Sequence, residues 1–247
     1  MRPWAAARAP RNRGWDNEAV AYWERPAGPG VVLWQSTAPA AGRTRILPDG
    51  CLDLIWDGHA LLVAGPDSAA RWHEAPPGRR YTGLRFHYGT GPAVLGISAS
   101  EVLDASPGLA QLWPSAAVRP LAEQVAPDPA AALARWAAER GRDHPPDPLG
   151  PRVHALARRA LPVAQMADQF GLSARQLHRR CLPVFGYGPR RLSRILRMTR
   201  ALDRARAGRP LAEVAAACGY ADQAHLTREL GALGGSPPTA LLAEPPG

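Results

Sequence analysis

The sequence predicts an α+β fold, in which a β-rich N-terminal region turns helical and is followed by an all-α C-terminal domain of two similar helical hairpins joined by a long helix. Three observations carry this expectation. All eight Trp lie in the first 136 residues, among short apolar runs broken by turn formers. Beyond Ser98 the apolar spacing becomes helical. Within the last hundred or so residues, one segment repeats itself.

The strand region comes first. Between Val31 and Ile97, runs such as VVLW, RIL, CLDLIW, ALLVAG and YTGLRF are separated by PAAGR, PDG and DGH. Leu52, Leu54 and Trp56 alternate with Asp53, Ile55 and Asp57, the period-two pattern of a strand with one buried face. Asp49-Gly50 and Asp57-Gly58 are turn dipeptides, so short antiparallel strands are expected. Helical character opens at Ser98–Glu101 and is clear over 130–140, where Leu133, Trp136 and Ala137 share one side. GRDHPPDPLGP, at 141–151, has the composition of a linker. The expected organisation is therefore a disordered basic tail over 1–14, a β-rich domain with C-terminal helices over 15–145, and a helical domain over 146–247.

The repeat pairs VAQMADQFGLS (163–173) with LAEVAAACGYA (211–221) at an offset of 48. Ala167 matches Ala215 and Gly171 matches Gly219; past the glycine the offset becomes 49, matching Leu177 to Leu226 and Arg179 to Arg228. Each copy meets the physical requirements of a helix-turn-helix. The alanine allows a close helix crossing, and the glycine takes the positive φ that ends the first helix. Ser173 and Asp222 are suited to cap the second helix. Leu177 and Leu226 then point inward, leaving the polar residues around them outside. PRRLSRILRMTRALDRARAG (189–208) reads as one helix from Pro189 to Gly208, with Leu192, Ile195, Leu196, Thr199 and Leu202 as its inner stripe and its arginines mainly elsewhere. At ~1.5 Å per residue such a rod is roughly 27 Å long, enough with its flanking turns to hold two helices about one turn of B-DNA apart.

Charge distribution agrees. The chain has 30 Arg, no Lys and a formal net charge of +9. Residues 1–148 carry 15 Arg against 15 acids, whereas 149–247 carry 15 Arg against six, so the whole excess sits in the helical part. A basic domain attached to a neutral one is the electrostatic footprint of a nucleic-acid binder; a merely solvated Arg-rich surface is the alternative on charge alone.

The stretches MADQFGLSARQLHRRC, FGYGPRRLSRILRMTRAL, LAEVAAACGYADQAHLTREL and GGSPPTAL resemble the C-terminal domain of AraC/XylS-type bacterial transcription regulators, over about a third of the chain. Cys181, Leu226 and Leu230 stand where that family usually has Phe, keeping apolar character with less volume. The N-terminal LPDGCLDLIWDG, LLVAGPDS and LGISASEVLD resemble an uncharacterised domain often fused to such DNA-binding domains. What the resemblance implies is a regulator binding double-stranded promoter or operator DNA. Ser173, Arg175, Gln176, His178, Arg179 and Arg180 would belong to the first recognition helix, and Gln223, His225, Thr227 and Arg228 to the second. Arg suits guanine and Gln suits adenine, while Arg180 and Arg190 suit phosphates.

Other chemistry finds little support. His59, His73, His87 and Cys51 lack metal-ligand spacing, and there is no nucleophile elbow and no phosphate loop, so neither catalysis, a metal nor a cofactor is expected. Three widely spaced Cys form no disulfide framework, and neither a signal peptide nor a membrane span is read, which leads to a cytoplasmic expectation. Two roles stay open for the N-terminal domain. One is binding a small-molecule effector, with Trp34, Trp56, Trp72 and Tyr81 as candidate lining residues; the other is homodimerisation or contact with a protein such as RNA polymerase. A helical adaptor whose basic face meets an acidic protein, without DNA, is the alternative to the whole reading.

Overall fold

A computed structural model describes residues 21–38 and 42–244 of the chain. The tail expected over 1–14 lies outside the described residues. Strands β1 (Ala21–Gly28), β2 (Val31–Thr37), β4 (Leu52–Trp56), β5 (Leu61–Ala64) and β7 (Arg80–Phe86) form an antiparallel sheet in the order β1-β2-β7-β4-β5. Strands β3 (Gly42–Ile46) and β6 (Arg71–Ala75) pair separately as a two-stranded ribbon. Alternation decides what each face carries. Leu33, Leu52, Leu54, Trp56, Leu84 and Phe86 point to one side of the large sheet and are buried.

That side is covered by helices α1 (Thr90–Leu95), α2 (Leu109–Leu112), α3 (Ser115–Val125) and α4 (Pro129–Asp143), which add Val94, Leu95, Leu109, Val125 and Leu133 to the same core. The expectation of strand-like runs as far as Ile97 fails at α1. Tyr88 and Gly89 both have positive φ, 61° and 76°, and this ends strand β7 early and turns the chain into a helix. At Ser98 a single 3-10 turn forms instead of a longer helix, closed by a capping box between Ser98 and Glu101.

The second core is purely helical. It gathers α5 (Leu149–Arg158), α6 (Val163–Asp168), α7 (Ala174–Phe185), α8 (Pro189–Arg206), α9 (Leu211–Cys218), α10 (Gln223–Gly234) and α11 (Pro238–Ala243). The proline-rich 141–151 stretch is non-helical only over 144–148, because α4 and α5 extend into it from either side. Helix α8 is central. Of the expected stripe, Leu192, Ile195, Leu196 and Leu202 are buried and Thr199 is half-buried, while Met198 and Ala201 are buried as well, so neighbours surround it more fully than a one-sided rod.

The two cores meet closely. An added Cβ at Gly150 would lie 2.4 Å from the Tyr88 carbonyl, and one at Gly89 would collide with Val184. A residual cavity of about 10 Å3, lined by Cys51, Phe86, Gly89, Val184 and Phe185 among others, is at most water-sized.

Candidate nucleic-acid interface

Helices α6 and α7 form one hairpin, and α9 and α10 the other. Their starts are separated by 48 and 49 residues respectively, so the extra residue of the second copy sits in its turn. Gly171 and Gly219 take φ of 63° and 74°, the left-handed conformation in which a side chain is strained. Ala167 and Ala215 are buried at the crossings, and Leu177 and Leu226 are fully buried anchors. The Ser173 hydroxyl accepts from the Gln176 N–H at 3.2 Å, and Asp222 accepts from the His225 N–H at 2.6 Å, so each second helix begins on a side-chain cap.

These caps alter the roles of two expected base readers. Gln176 completes a capping box, its Oε1 accepting from the Ser173 N–H at 2.8 Å. One end of its amide is thereby engaged, and the two-ended pairing that suits adenine is not free to form without breaking the box. His225 is similarly occupied: Nδ1 accepts from the Ala221 N–H at 3.2 Å, and the ring packs edge-on against Tyr220. That leaves Nε2 as the ring nitrogen not engaged by the cap.

Arg175, Arg179, Gln223 and Arg228 are exposed. His178 is exposed too but lies on Gly188, where an added Cβ would fall 2.2 Å from its ring. Arg180 pairs with Asp147 of the inter-helix segment at 3.3 Å. Thr227 is half-buried, and Arg190 is exposed at the first turn of α8.

The arginines of α8 divide in a way the sequence reading did not anticipate. Arg194 donates to both oxygens of Glu229, at 2.9 and 3.0 Å, and Arg197 approaches the same carboxylate at 3.5 Å. Arg197 also donates to the Gly219 carbonyl and lies 4.4 Å above the Tyr220 ring. Burial, the largest single influence, pushes the Glu229 carboxyl up, yet Arg194 and Arg197 together outweigh it and hold it below the usual range. These arginines fasten α10 to the central rod rather than lining an outer face. Arg190, Arg204 and Arg206 remain exposed. The only hint in the sequence is that Glu229 is one of just six acids in a basic domain.

Residues 166–244 match the family described as a helix-turn-helix domain, which spans both hairpins. This chain carries an AraC-type helix-turn-helix domain. The type is that of DNA-binding transcription regulators. Residues 31–107 match a domain of unknown function, DUF6597. In overall structure the chain is similar to ToxT from Vibrio cholerae O395, with 9% identity, a TM-score of 0.45, and 92% of this chain and 98% of that one covered. A second ToxT structure from the same organism, bound to (E)-4-(8-methylnaphthalen-1-yl)but-3-enoic acid, gives 10% identity and a TM-score of 0.47, with 91% and 98% covered. A search of curated proteins finds no match to the chain.

Beside the AraC-type domain, the four aromatic residues considered for an effector do not come together. Trp56 is 7% exposed in the sheet's helix-covered core. Trp34 lies on the opposite face across Gly83, where an added Cβ would sit 2.4 Å from the indole, and its Nε1 donates to Asp53 at 3.0 Å. Tyr81 shares that face and meets His73 of the ribbon edge-on. Trp72 points to the other side of the ribbon, under Arg43 and Arg45. What this face does gather is the buried Trp34 with the largely buried Asp53 and Arg85, the last pairing with Asp53 at 3.2 Å. Burial raises the Asp53 carboxyl above its usual range despite Arg85.

Cys181 and Cys218 are buried in the helical core, where burial pushes the Cys181 thiol up to about 12. Among the described residues, no group of three or more His, Cys, Asp or Glu is placed to hold a metal ion, and no helix is long and apolar enough to cross a membrane.

Proposed function

We propose that the chain is a sequence-specific transcription regulator in which α7 and α10 enter successive major grooves of promoter or operator DNA. The observation that carries this is the duplicated hairpin with both capped N-terminal ends exposed. Arg175, Arg179, Gln223 and Arg228 stand free there, while the buried Leu177 and Leu226 fix each helix from behind. Arg179 and Arg228, at equivalent positions, are assigned to base edges. Arg190, and Arg180 when released from Asp147, are assigned to phosphates. Ser173 acts through its cap, and Gln176 and His225 hold the starts of their helices as much as they read bases. His178 and Thr227 flank the two reading surfaces.

The remainder of the chain, to about residue 145, is proposed as the regulatory domain, with effector binding or self-association as its role. Trp34 and Tyr81, on the face that also presents Asp53 and Arg85, are its best-placed candidates for a small polar-aromatic effector. RNA polymerase is the partner such a regulator would address at a promoter.

A gel-shift titration of the full chain on DNA upstream of its own gene tests the reading. Specific retention that weakens steeply with salt is the expected result, because each neutralised phosphate releases counterions. No preference over unrelated DNA at matched salt would refute it and return the basic face to an acidic protein partner.

A further inference from the structure

The second recognition helix has an attachment that lies outside its own domain. The Arg45 side chain, only 7% exposed, leaves ribbon strand β3 and reaches the C-terminal end of α10. Its Nη1 donates to the Gly234 carbonyl at 2.6 Å, and its Nε and Nη2 donate to Glu244, just past α11, at 3.0–3.2 Å. The guanidinium lies 4.4 Å from the centre of the Trp72 ring, which fixes its plane. Close by, the Ala70 N–H donates to the Leu233 carbonyl at 2.6 Å. A helix leaves its last four carbonyls without partners and carries partial negative charge there. For α10, two of those carbonyls are satisfied by the N-terminal domain, one of them by a cation.

The same domain also grips the first recognition helix by its C-terminal end. Gly186, the residue that ends α7 with φ of 78°, packs so closely that an added Cβ would lie 2.9 Å from Pro66 and 3.2 Å from the Ala99 carbonyl. Both recognition helices are therefore held at the ends remote from Arg175, Arg179, Gln223 and Arg228.

We infer that the N-terminal domain braces the two recognition helices against each other, and that Arg45 is the residue positioning the second. Helix α8 joins the hairpins from inside through Glu229; the brace joins them from outside. With both links present, the separation of the helices is set before DNA arrives, which lowers the ordering cost of binding. A displacement of the ribbon reaches α10 through Arg45 and the adjacent Ala70–Leu233 hydrogen bond, whereas Gly186 packs on Pro66 and Ala99 outside the ribbon, so the N-terminal domain controls the relative placement of the two reading helices. The inference rests on the DNA-binding reading for its consequence, though not for the brace itself.

Two measurements on the full chain separate these. Amide hydrogen exchange over 231–244 without DNA should be faster in Arg45→Ala and Glu244→Gln than in the wild type, and intermediate in Arg45→Lys, which keeps the charge but not the fork. Footprinting on DNA upstream of its own gene should show protection of one half-site weakened roughly tenfold in Arg45→Ala, with the other changed by about twofold or less and partial recovery in Arg45→Lys. Unchanged exchange in all three variants overturns the brace. Faster exchange with unchanged or tighter binding overturns the positioning role, and a uniform loss at both half-sites in Arg45→Lys as well as Arg45→Ala does the same. A wild type that binds no DNA overturns the regulator reading, while the exchange data still decide the brace.

Discussion

Replacing Glu229 by Ala should loosen the second recognition helix more than any exposed change on it. The carboxylate accepts two hydrogen bonds from Arg194 and a third approach from Arg197, with the three side chains 19%, 31% and 22% exposed. A surface ion pair contributes at most ~1 kcal/mol, and removing one member of a fully buried pair costs about 3–5 kcal/mol. This site is bidentate but partly solvated, so ~2 kcal/mol is the expected loss, or a fall in Tm of about 4–8 °C for a chain of this size. Glu229→Gln keeps an acceptor and should lose about half as much.

The assay has a built-in division of labour. Every Trp lies in the first 136 residues, so indole fluorescence follows the N-terminal domain while far-UV circular dichroism follows mainly the helices. The helical transition should move in Glu229→Ala. Because its folded carboxyl lies below the usual range, the pair's stabilisation is fully present above the ordinary Glu pKa and is lost only as pH falls through the depressed value. A helical transition within about 1 °C of wild type at neutral pH, where ~4–8 °C is expected, would refute the claim that Arg194 and Arg197 hold α10 in place.

Other consequences are simpler to read. Arg179→Ala or Arg228→Ala should weaken cognate DNA binding by about 1–3 kcal/mol at fixed salt without shifting Tm, and unchanged affinity would remove that residue from the reading surface. Gly83→Ala forces a methyl into the Trp34 indole and should destabilise the sheet by ~1–3 kcal/mol, seen as an earlier fluorescence transition and a disturbed indole spectrum. His154, on α5 beneath Tyr88, is held down to about 4, chiefly by burial and then by the charge of Arg158. The unfolded imidazole takes up a proton near its ordinary pKa while the folded one stays neutral, so stability should fall as pH drops from about 6.5 toward 4. His87 is also lowered, so the difference between wild type and His154→Gln across that window isolates this residue; identical pH profiles would refute its share.

Much of the helical half was legible because its signals are local. A cap, a turn glycine and a buried leucine are spaced within one hairpin, and the repeat supplies the same pattern twice. The 48-to-49 change of offset reappears unchanged in the starts of α6 and α9, then α7 and α10. In the other half, alternation identified Leu52, Leu54 and Trp56 as sharing a face, which already separates Trp56 from Trp34 once β2, β7 and β4 are known to be neighbours. That adjacency is not local. Strand β7 enters between β2 and β4 from about 30 residues downstream of one and 45 of the other, and nothing in either strand's own period states it. The separate β3–β6 ribbon was hidden for the same reason, and the start of α1 depended on positive φ at a tyrosine, which residue type does not favour.

Charge was the least divisible signal. An excess of arginine identifies a basic domain but does not say which guanidinium meets a partner and which holds the protein together. In this chain, which contains no Lys, the proposed reading gives both jobs to one side chain. Arg suits the inner role because its planar fork can satisfy a carboxylate and a carbonyl at once, as Arg45 and Arg197 do, while the guanidinium lies over an aromatic ring. It suits the outer role because the same fork matches guanine or phosphate. The acids therefore carry the discriminating information. Glu229 draws Arg194 and Arg197 inward, Glu244 fixes Arg45, and Asp147 pairs with Arg180, so among the described residues the hairpin-face arginines left without a carboxylate are Arg175, Arg179 and Arg228, the ones proposed above to meet DNA.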